Sequence, residues 1–114
     1  MSAATFKAEM VEMSPAELAS LRQAGAPHAV LDVREPWETA LCLIPDSLTV
    51  PLGTLPTAVD QLPGDKPLIV VCHHGGRSMQ AVMWLRSQGY TNAINLRGGV
   101  HAWAGQIDPT MATY

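Results

Sequence analysis

A run of four apolar residues, Leu68 to Val71, constrains the fold of this chain more than any other segment. Three of the four are β-branched and no polar residue alternates with them, so the run predicts a strand buried on both faces. A helical pattern follows over residues 77–88, with apolar residues along one stripe and Gly89 just after its end. A buried strand that leads into a helix is typical of a parallel α/β sheet.

Other segments continue this alternation. Ser14 followed by Pro15 and Glu17 predicts a helix start, because Ser caps the first turn and Pro fits the first helical position. Short strands are predicted at 29–33, 48–50 and 93–96, short helices at 36–40 and 55–61, and a last helix through Trp103. The pattern predicts one α/β domain over residues 1–114 with a mainly parallel sheet.

Composition and charge exclude several classes of function. Of the 114 residues, 47% are hydrophobic and 15% are charged, as expected of a soluble globular domain. A net charge of −3 with seven scattered basic residues argues against a nucleic-acid partner, which needs clustered Lys and Arg. No apolar run approaches the roughly 20 residues that span a bilayer, so no membrane partner is expected.

The cysteines and the first residues bear on the compartment. Cys42 and Cys72 are too few for a disulfide framework and have unlike surroundings, which favours a reducing environment. Residues 1–10 contain no apolar core of signal-peptide length. We therefore expect the protein in the cytoplasm.

The loop between the clearest strand and the clearest helix is the strongest candidate for chemistry. Cys72 follows the strand, Arg77 opens the helix, and four residues separate them: His73, His74, Gly75 and Gly76. Sites in open α/β sheets form outside the carboxyl ends of the strands, where this loop is expected. Two glycines allow a tight turn whose N–H groups point inwards, and the helix N-terminus adds positive potential. Such a nest would stabilise a Cys72 thiolate or persulfide anion.

The other polar residues of the loop have alternative interpretations. Arg77 offers a planar positive fork to an oxyanion, and Ser78 can donate a hydrogen bond to the thiolate or to the loop backbone. His73 and His74 either tune the thiolate or form the wall of the pocket. A lone Cys72 after a buried strand could also be a simple packing residue, an interpretation that the glycine-rich loop disfavours.

Asp32 and Arg34 are predicted at the end of a neighbouring strand. They either pair with each other and brace the loop, which we favour, or Arg34 attracts an anionic donor. Cys42 lies in an apolar stretch and is expected to be a packing residue. His101 is expected to pack or to form the rim of the pocket.

Two motifs give the sequence a family resemblance. Residues 72–78 (CHHGGRS) resemble the active-site loop of the rhodanese family, and this is the most specific of the matches. Residues 31–35 (LDVRE), together with Trp37 and Glu38, resemble the first signature of that family. The two motifs occur in the family's order along the chain.

Two weaker motifs extend the resemblance along the chain. Residues 44–47 (IPDS) resemble the family's second signature, although Leu43 stands where many members carry His. Residues 95–103 (NLRGGVHAW) resemble the stretch before the last helix, so the match runs from about Ser14 to Trp103. The resemblance implies about five parallel strands in one sheet, flanked by helices on both faces.

The resemblance also implies an activity. Cys72 would take sulfane sulfur from thiosulfate or a related small donor and pass it to cyanide or to a thiol, which includes the thiol of a partner protein. No cofactor and no metal are expected, because adjacent residues such as Cys72, His73 and His74 rarely face one ion.

Two alternatives remain. A phosphatase or arsenate reductase also places a Cys and an Arg around an anion nest, but typical tyrosine phosphatases have one more residue between them. A persulfide carrier or a regulatory module with a protein partner would keep the same loop, and the sequence does not separate it from a free-standing enzyme.

Overall fold

The structure is a computed structural model that describes residues 10–114. Residues 1–9, on which the signal-peptide expectation rests, lie outside the described residues. The five strands are β1 (Glu12–Met13), β2 (Ala29–Asp32), β3 (Leu48–Thr49), β4 (Leu68–Val71) and β5 (Ala93–Leu96). The α-helices are α1 (Pro15–Gln23), α2 (Pro36–Leu41), α3 (Leu55–Ala58), α4 (Gly76–Ser87) and α5 (Gly99–Gln106). Short 3₁₀ turns at Leu52–Thr54 and Val59–Gln61 flank α3.

All five strands pair in parallel in one sheet, in the order β1-β5-β4-β2-β3. This confirms the predicted α/β fold and the five-stranded parallel sheet that the resemblance implies. The central strand β4 pairs with β2 on one side and with β5 on the other. Its carboxyl end therefore lies in the middle of the sheet edge, and the loop that follows it is surrounded by the loops after its neighbours.

Both faces of the sheet are buried, which explains why the clearest strand shows no polar alternation. Ile69 and Val71 pack into one core and Leu68, Val70 and Cys72 into the other. The first core receives side chains from α1 and α5, and the second receives side chains from α3 and α4. Helices on both faces match the architecture that the resemblance implies.

The predicted helix boundaries hold closely where a cap defines them. Ser14 caps α1 through a capping box, since its side chain accepts from the Glu17 N–H and the Glu17 carboxylate accepts from the Ser14 N–H. The segment predicted as one helix at 55–61 is α3 followed by a 3₁₀ turn. Within residues 10–114, no helix is long and apolar enough to cross a membrane.

Candidate active site at the carboxyl edge of the sheet

The Cys72 thiol lies at the centre of a turn of backbone donors. Its sulfur accepts the Gly75 N–H at 3.1 Å and the Ser78 N–H at 3.3 Å, and the Ser78 Oγ lies at 3.3 Å. Cys72 is 2% exposed, so these donors compete with little water. A sulfur anion is the species that such converging N–H groups favour, because the donors at a helix N-terminus lack intrahelical partners.

Gly75 makes this turn possible. Its φ is +106°, a conformation that residues with a Cβ rarely adopt, and it is the N-cap of α4. An added Cβ would lie 3.3 Å from the backbone nitrogen of Gly98, a tight contact that adds to the strain of the positive φ. The helix begins at Gly76, one residue before the predicted start at Arg77, because the left-handed turn at Gly75 completes the reversal of the chain.

A buried network of hydrogen bonds holds Ser78 next to the Cys72 sulfur. The Ser78 hydroxyl lies within hydrogen-bond distance of Asn95 Oδ1 as well as of Cys72 Sγ, and its single proton can serve one of them at a time. The Asn95 side-chain amide donates to Glu12 Oε2 at 3.0 Å and to the Gly75 carbonyl at 3.3 Å. Asn95 thus links strand β5 to Gly75 in the loop and to Ser78 in the first turn of α4. The sequence signal for it was a polar residue inside a buried strand.

Arg77 forms a two-pronged ion pair with Glu38 on α2. The Nη1–Oε1 distance is 2.7 Å and the Nη2–Oε2 distance is 2.8 Å, with the arginine side chain 38% exposed and the glutamate side chain 4% exposed. These hydrogen bonds lower the pKa of Glu38 to about 2 and raise the pKa of Arg77 above its ordinary value. The arginine that was predicted to receive an oxyanion is therefore already charge-balanced, although three of its five N–H donors are left by this pair.

Asp32 and Arg34 are paired and fully buried. The Arg34 Nη2 donates to Asp32 Oδ2 at 2.8 Å and to the Cys42 carbonyl at 2.7 Å. Burial acts to lower the pKa of Arg34, but hydrogen bonds to Asp32 and Tyr114 outweigh it and raise that pKa. The pair thus braces the segment between β2 and α2, and α2 carries Glu38. No water-facing surface of Arg34 is left to attract a donor directly, because the residue is 1% exposed.

Tyr114 closes the site from the far end of the chain. Its hydroxyl accepts from Arg34 Nη1 at 2.8 Å and donates to Glu38 Oε2 at 2.8 Å. Its ring stacks on His73, with 3.8 Å between centroids and 9° between planes. Burial raises the pKa of Tyr114, so it remains a neutral donor at physiological pH. Nothing in the local sequence marked this residue, because its partners are distant in the chain.

Three histidines lie together, two of them in the loop that follows Cys72. The His73 ring centroid is 4.0 Å from that of His74 and 6.0 Å from that of His101. Burial, and next the charge of His74, lowers the pKa of His73. His73 is therefore neutral at physiological pH. Its stacking on Tyr114 supports the interpretation of His73 as part of the pocket wall.

The structure brings most of the predicted site residues together. The loop from Cys72 to Ser78 forms one turn around the sulfur, while Asp32 and Arg34 act at one remove, through α2. Cys42 is half-buried and packs against the first core, and its sulfur and its carbonyl both accept from Arg34. Sequence patterns did not reveal the roles of three residues at this site: Glu38, Asn95 and Tyr114.

Comparison with known proteins gives this geometry a family. Residues 14–106 match the family model described as "Rhodanese-like domain". A sulfurtransferase of Allochromatium vinosum is 38% identical over 104 residues, which are 90% of this chain and 97% of that protein. The solved structure of the human single-domain sulfurtransferase TSTD1 has a TM-score of 0.75 and 31% identity, covering 83% of this chain and 96% of that one.

A second solved structure has a similar fold over most of this chain. A rhodanese-like domain protein from Staphylococcus aureus has a TM-score of 0.77 and 32% identity, covering 82% of this chain and 91% of that one. The single-domain relatives support a sulfurtransferase function for the chain. Because the family model matches residues 14–106 and the Allochromatium vinosum sulfurtransferase aligns with this chain over 97% of its own length, this chain belongs to the rhodanese-like domain family.

Proposed function

We propose that the protein transfers sulfane sulfur from a small anionic donor such as thiosulfate to a thiol or to cyanide, with Cys72 as the carrier. The observation that carries the proposal is the pair of backbone N–H groups, from Gly75 and Ser78, directed at the Cys72 sulfur. Donors fixed before the reaction stabilise a sulfur anion without the cost of reorganising solvent.

In the first half-reaction, the Cys72 thiolate attacks the outer sulfur of the donor. For thiosulfate, a new sulfur–sulfur bond forms at Cys72, the bond between the two donor sulfurs breaks, and sulfite leaves with the electron pair. The charge then resides on the outer sulfur of the Cys72 persulfide. The N–H groups that hold the thiolate serve this anion too, since both are sulfur anions at the same turn.

In the second half-reaction, the acceptor attacks the outer sulfur and the Cys72 thiolate leaves. Cyanide becomes thiocyanate, and a thiolate becomes a persulfide. His74 and Gly76 of the loop are exposed, so either a small thiol or the cysteine of a partner protein can approach it, and a carrier role differs only in that partner. Cys72 must begin each cycle as a free thiolate and not as part of a disulfide, which favours a reducing compartment such as the cytoplasm.

Arg77 is proposed to attract the donor rather than to enclose it. Glu38 occupies one edge of the guanidinium through two hydrogen bonds, so a tetrahedral phosphate dianion would have to displace a buried carboxylate or share the arginine with it. The short loop and this pairing both favour sulfur transfer over phosphate-ester hydrolysis.

A pair of cysteine variants tests the proposal. We expect Cys72→Ser to abolish transfer of sulfur from thiosulfate to cyanide, because a hydroxyl oxygen cannot store sulfane sulfur, while Cys42→Ser keeps most of the activity. Thiocyanate formation measures the reaction, and aryl phosphate hydrolysis is measured on the same samples. Retained sulfur transfer in Cys72→Ser would refute the role of Cys72. Strong phosphatase activity that Cys72→Ser removes would replace the proposal by the phosphatase alternative.

A further inference from the structure

We propose that His73, His74 and His101 form a binding site for a divalent transition-metal ion, beside the catalytic loop. One ring nitrogen from each of the three residues lies within 4.8 Å of one from each of the others. The remaining histidine, His28, is elsewhere, where its Nδ1 contacts the Ala26 carbonyl. Cys72 is not one of its ligands, so the metal site does not depend on the proposed sulfur transfer being correct.

The backbone places two of the three ligands side by side. The His101 N–H donates to the His73 carbonyl at 3.1 Å, and the Val100 N–H donates to the Cys72 carbonyl at 2.9 Å. Gly99 permits this approach, because a Cβ there would lie 2.4 Å from the Cys72 carbonyl oxygen and 2.5 Å from that of His73. The start of α5 is thus fixed against the catalytic loop, so the closeness of His73 and His101 is part of the fold.

The three rings can converge further without a change of backbone. Imidazole nitrogens bound to one ion at about 2.1 Å are roughly 3.4 Å apart in a tetrahedral site, somewhat closer than here. His74 and His101 are exposed and can rotate about their side-chain bonds to close that gap. The buried Nε2 of His73 has no hydrogen-bond partner within residues 10–114, so the His73 ring has a nitrogen that its protein surroundings do not use.

The ligand set indicates the class of metal. Imidazole suits Zn²⁺, Cu²⁺ and Ni²⁺, whereas Mg²⁺ and Ca²⁺ need carboxylate or carbonyl oxygens, of which the cluster contributes none. Three protein ligands would leave a fourth position for water or a small anion. This set of three histidines differs from a site formed by Cys72, His73 and His74, which the sequence disfavours. The Cys72 sulfur is engaged by the α4 turn, and His101 takes its place in the cluster.

Direct metal titration tests the site. Full-length protein is titrated with Zn²⁺, Ni²⁺ or Cu²⁺ against a chromophoric chelator, in a buffer that does not bind metals, with the thiols kept reduced. His74→Ala and His101→Ala remove exposed side chains, and circular dichroism confirms that each variant is folded. His28→Ala is the matched control, because it removes the one histidine outside the cluster. Cys72→Ser separates binding by imidazoles from binding by the thiolate.

We expect one equivalent of metal on the wild-type protein, on His28→Ala and on Cys72→Ser. We expect at least about tenfold weaker binding by His74→Ala and by His101→Ala, since even outer-shell changes cost 10- to 100-fold in known sites. The proposal is refuted if the wild-type protein binds none of the three metals more tightly than His74→Ala and His101→Ala do. Loss of binding in Cys72→Ser would refute it as well, because the ion would then belong to the thiolate.

Discussion

Among single residues, Glu38 links helix α2 to the loop around Cys72. It is buried, and its carboxylate receives two hydrogen bonds from Arg77 and one from Tyr114. A buried carboxylate is stable only when such partners satisfy it. Its cationic partner Arg77 belongs to the turn around Cys72. The hydrogen bonds that stabilise Glu38 therefore also fix the position of Arg77.

The Glu38 pair predicts a pH-dependent contribution to stability. Because the pKa of Glu38 is lowered to about 2 in the folded protein, the unfolded chain binds the proton more readily as pH falls. The contribution is complete above the unfolded pKa of about 4.3 and is lost as pH falls towards 2. We expect Glu38→Gln to lower the free energy of unfolding by about 2 kcal/mol at pH 7 and by much less near pH 2.5. Urea denaturation at both pH values measures this. An equal loss at the two values would contradict the ion-pair explanation.

Tyr114 offers a second prediction at this scale. Tyr114→Phe keeps the ring that stacks on His73 but removes the hydroxyl between Arg34 and Glu38. We expect a loss of about 1–2 kcal/mol in the free energy of unfolding, because a buried arginine donor loses its short partner. Tyr114→Leu, which also removes the stacking, should lose more. The denaturant midpoint at a constant m-value reports the change. A Phe variant as stable as the wild-type protein would show that the hydroxyl contacts contribute nothing.

For the helices and strands, features that act within a few residues could be predicted from the sequence, whereas the pairing of strands could not. The run of β-branched residues before Cys72 and the paired glycines after it predicted β4 and the loop, because each feature acts within a few residues. Strand β1 was missed, since its two residues are a strand only through pairing with β5. The start of α4 was displaced by one residue because the φ of Gly75 decides it, and a pair of glycines does not reveal which one turns.

The junction of α5 with the loop gives an element-scale prediction. Gly99→Ala should destabilise the protein by more than about 2 kcal/mol and reduce sulfur transfer, because its Cβ would meet the Cys72 and His73 carbonyl oxygens and its φ is +63°. Gly105→Ala, in the same helix with nothing within 4 Å of the added Cβ, should keep activity and gain up to about 1 kcal/mol. Thermal unfolding and thiocyanate formation measure both. Equal behaviour of the two variants would contradict the close approach.

At the scale of the whole molecule, the site forms where the parallel strands end together. The β2–α2 segment supplies Glu38, the β4–α4 loop supplies Cys72 and Arg77, and β5 supplies Asn95. Glu38 and Arg77 are 39 residues apart, and Arg34 and Tyr114 are 80 apart. Such partners could not be predicted from sequence patterns, because only the strand order brings them together. The resemblance supplied the architecture and the sulfur chemistry, while the bracing around the loop required the structure.

Mass spectrometry of the intact protein and its peptides shows whether Cys72 carries the transferred sulfur. Reduced protein is treated with thiosulfate, freed of the donor, and analysed as the intact chain and as peptides. We predict a gain of one sulfur atom on the peptide that contains Cys72, its removal by cyanide, and no gain in Cys72→Ser. Cys42→Ser should gain the sulfur as the wild-type protein does. An unmodified Cys72, or a sulfur atom found on Cys42 alone, would show that Cys72 is not the sulfur carrier.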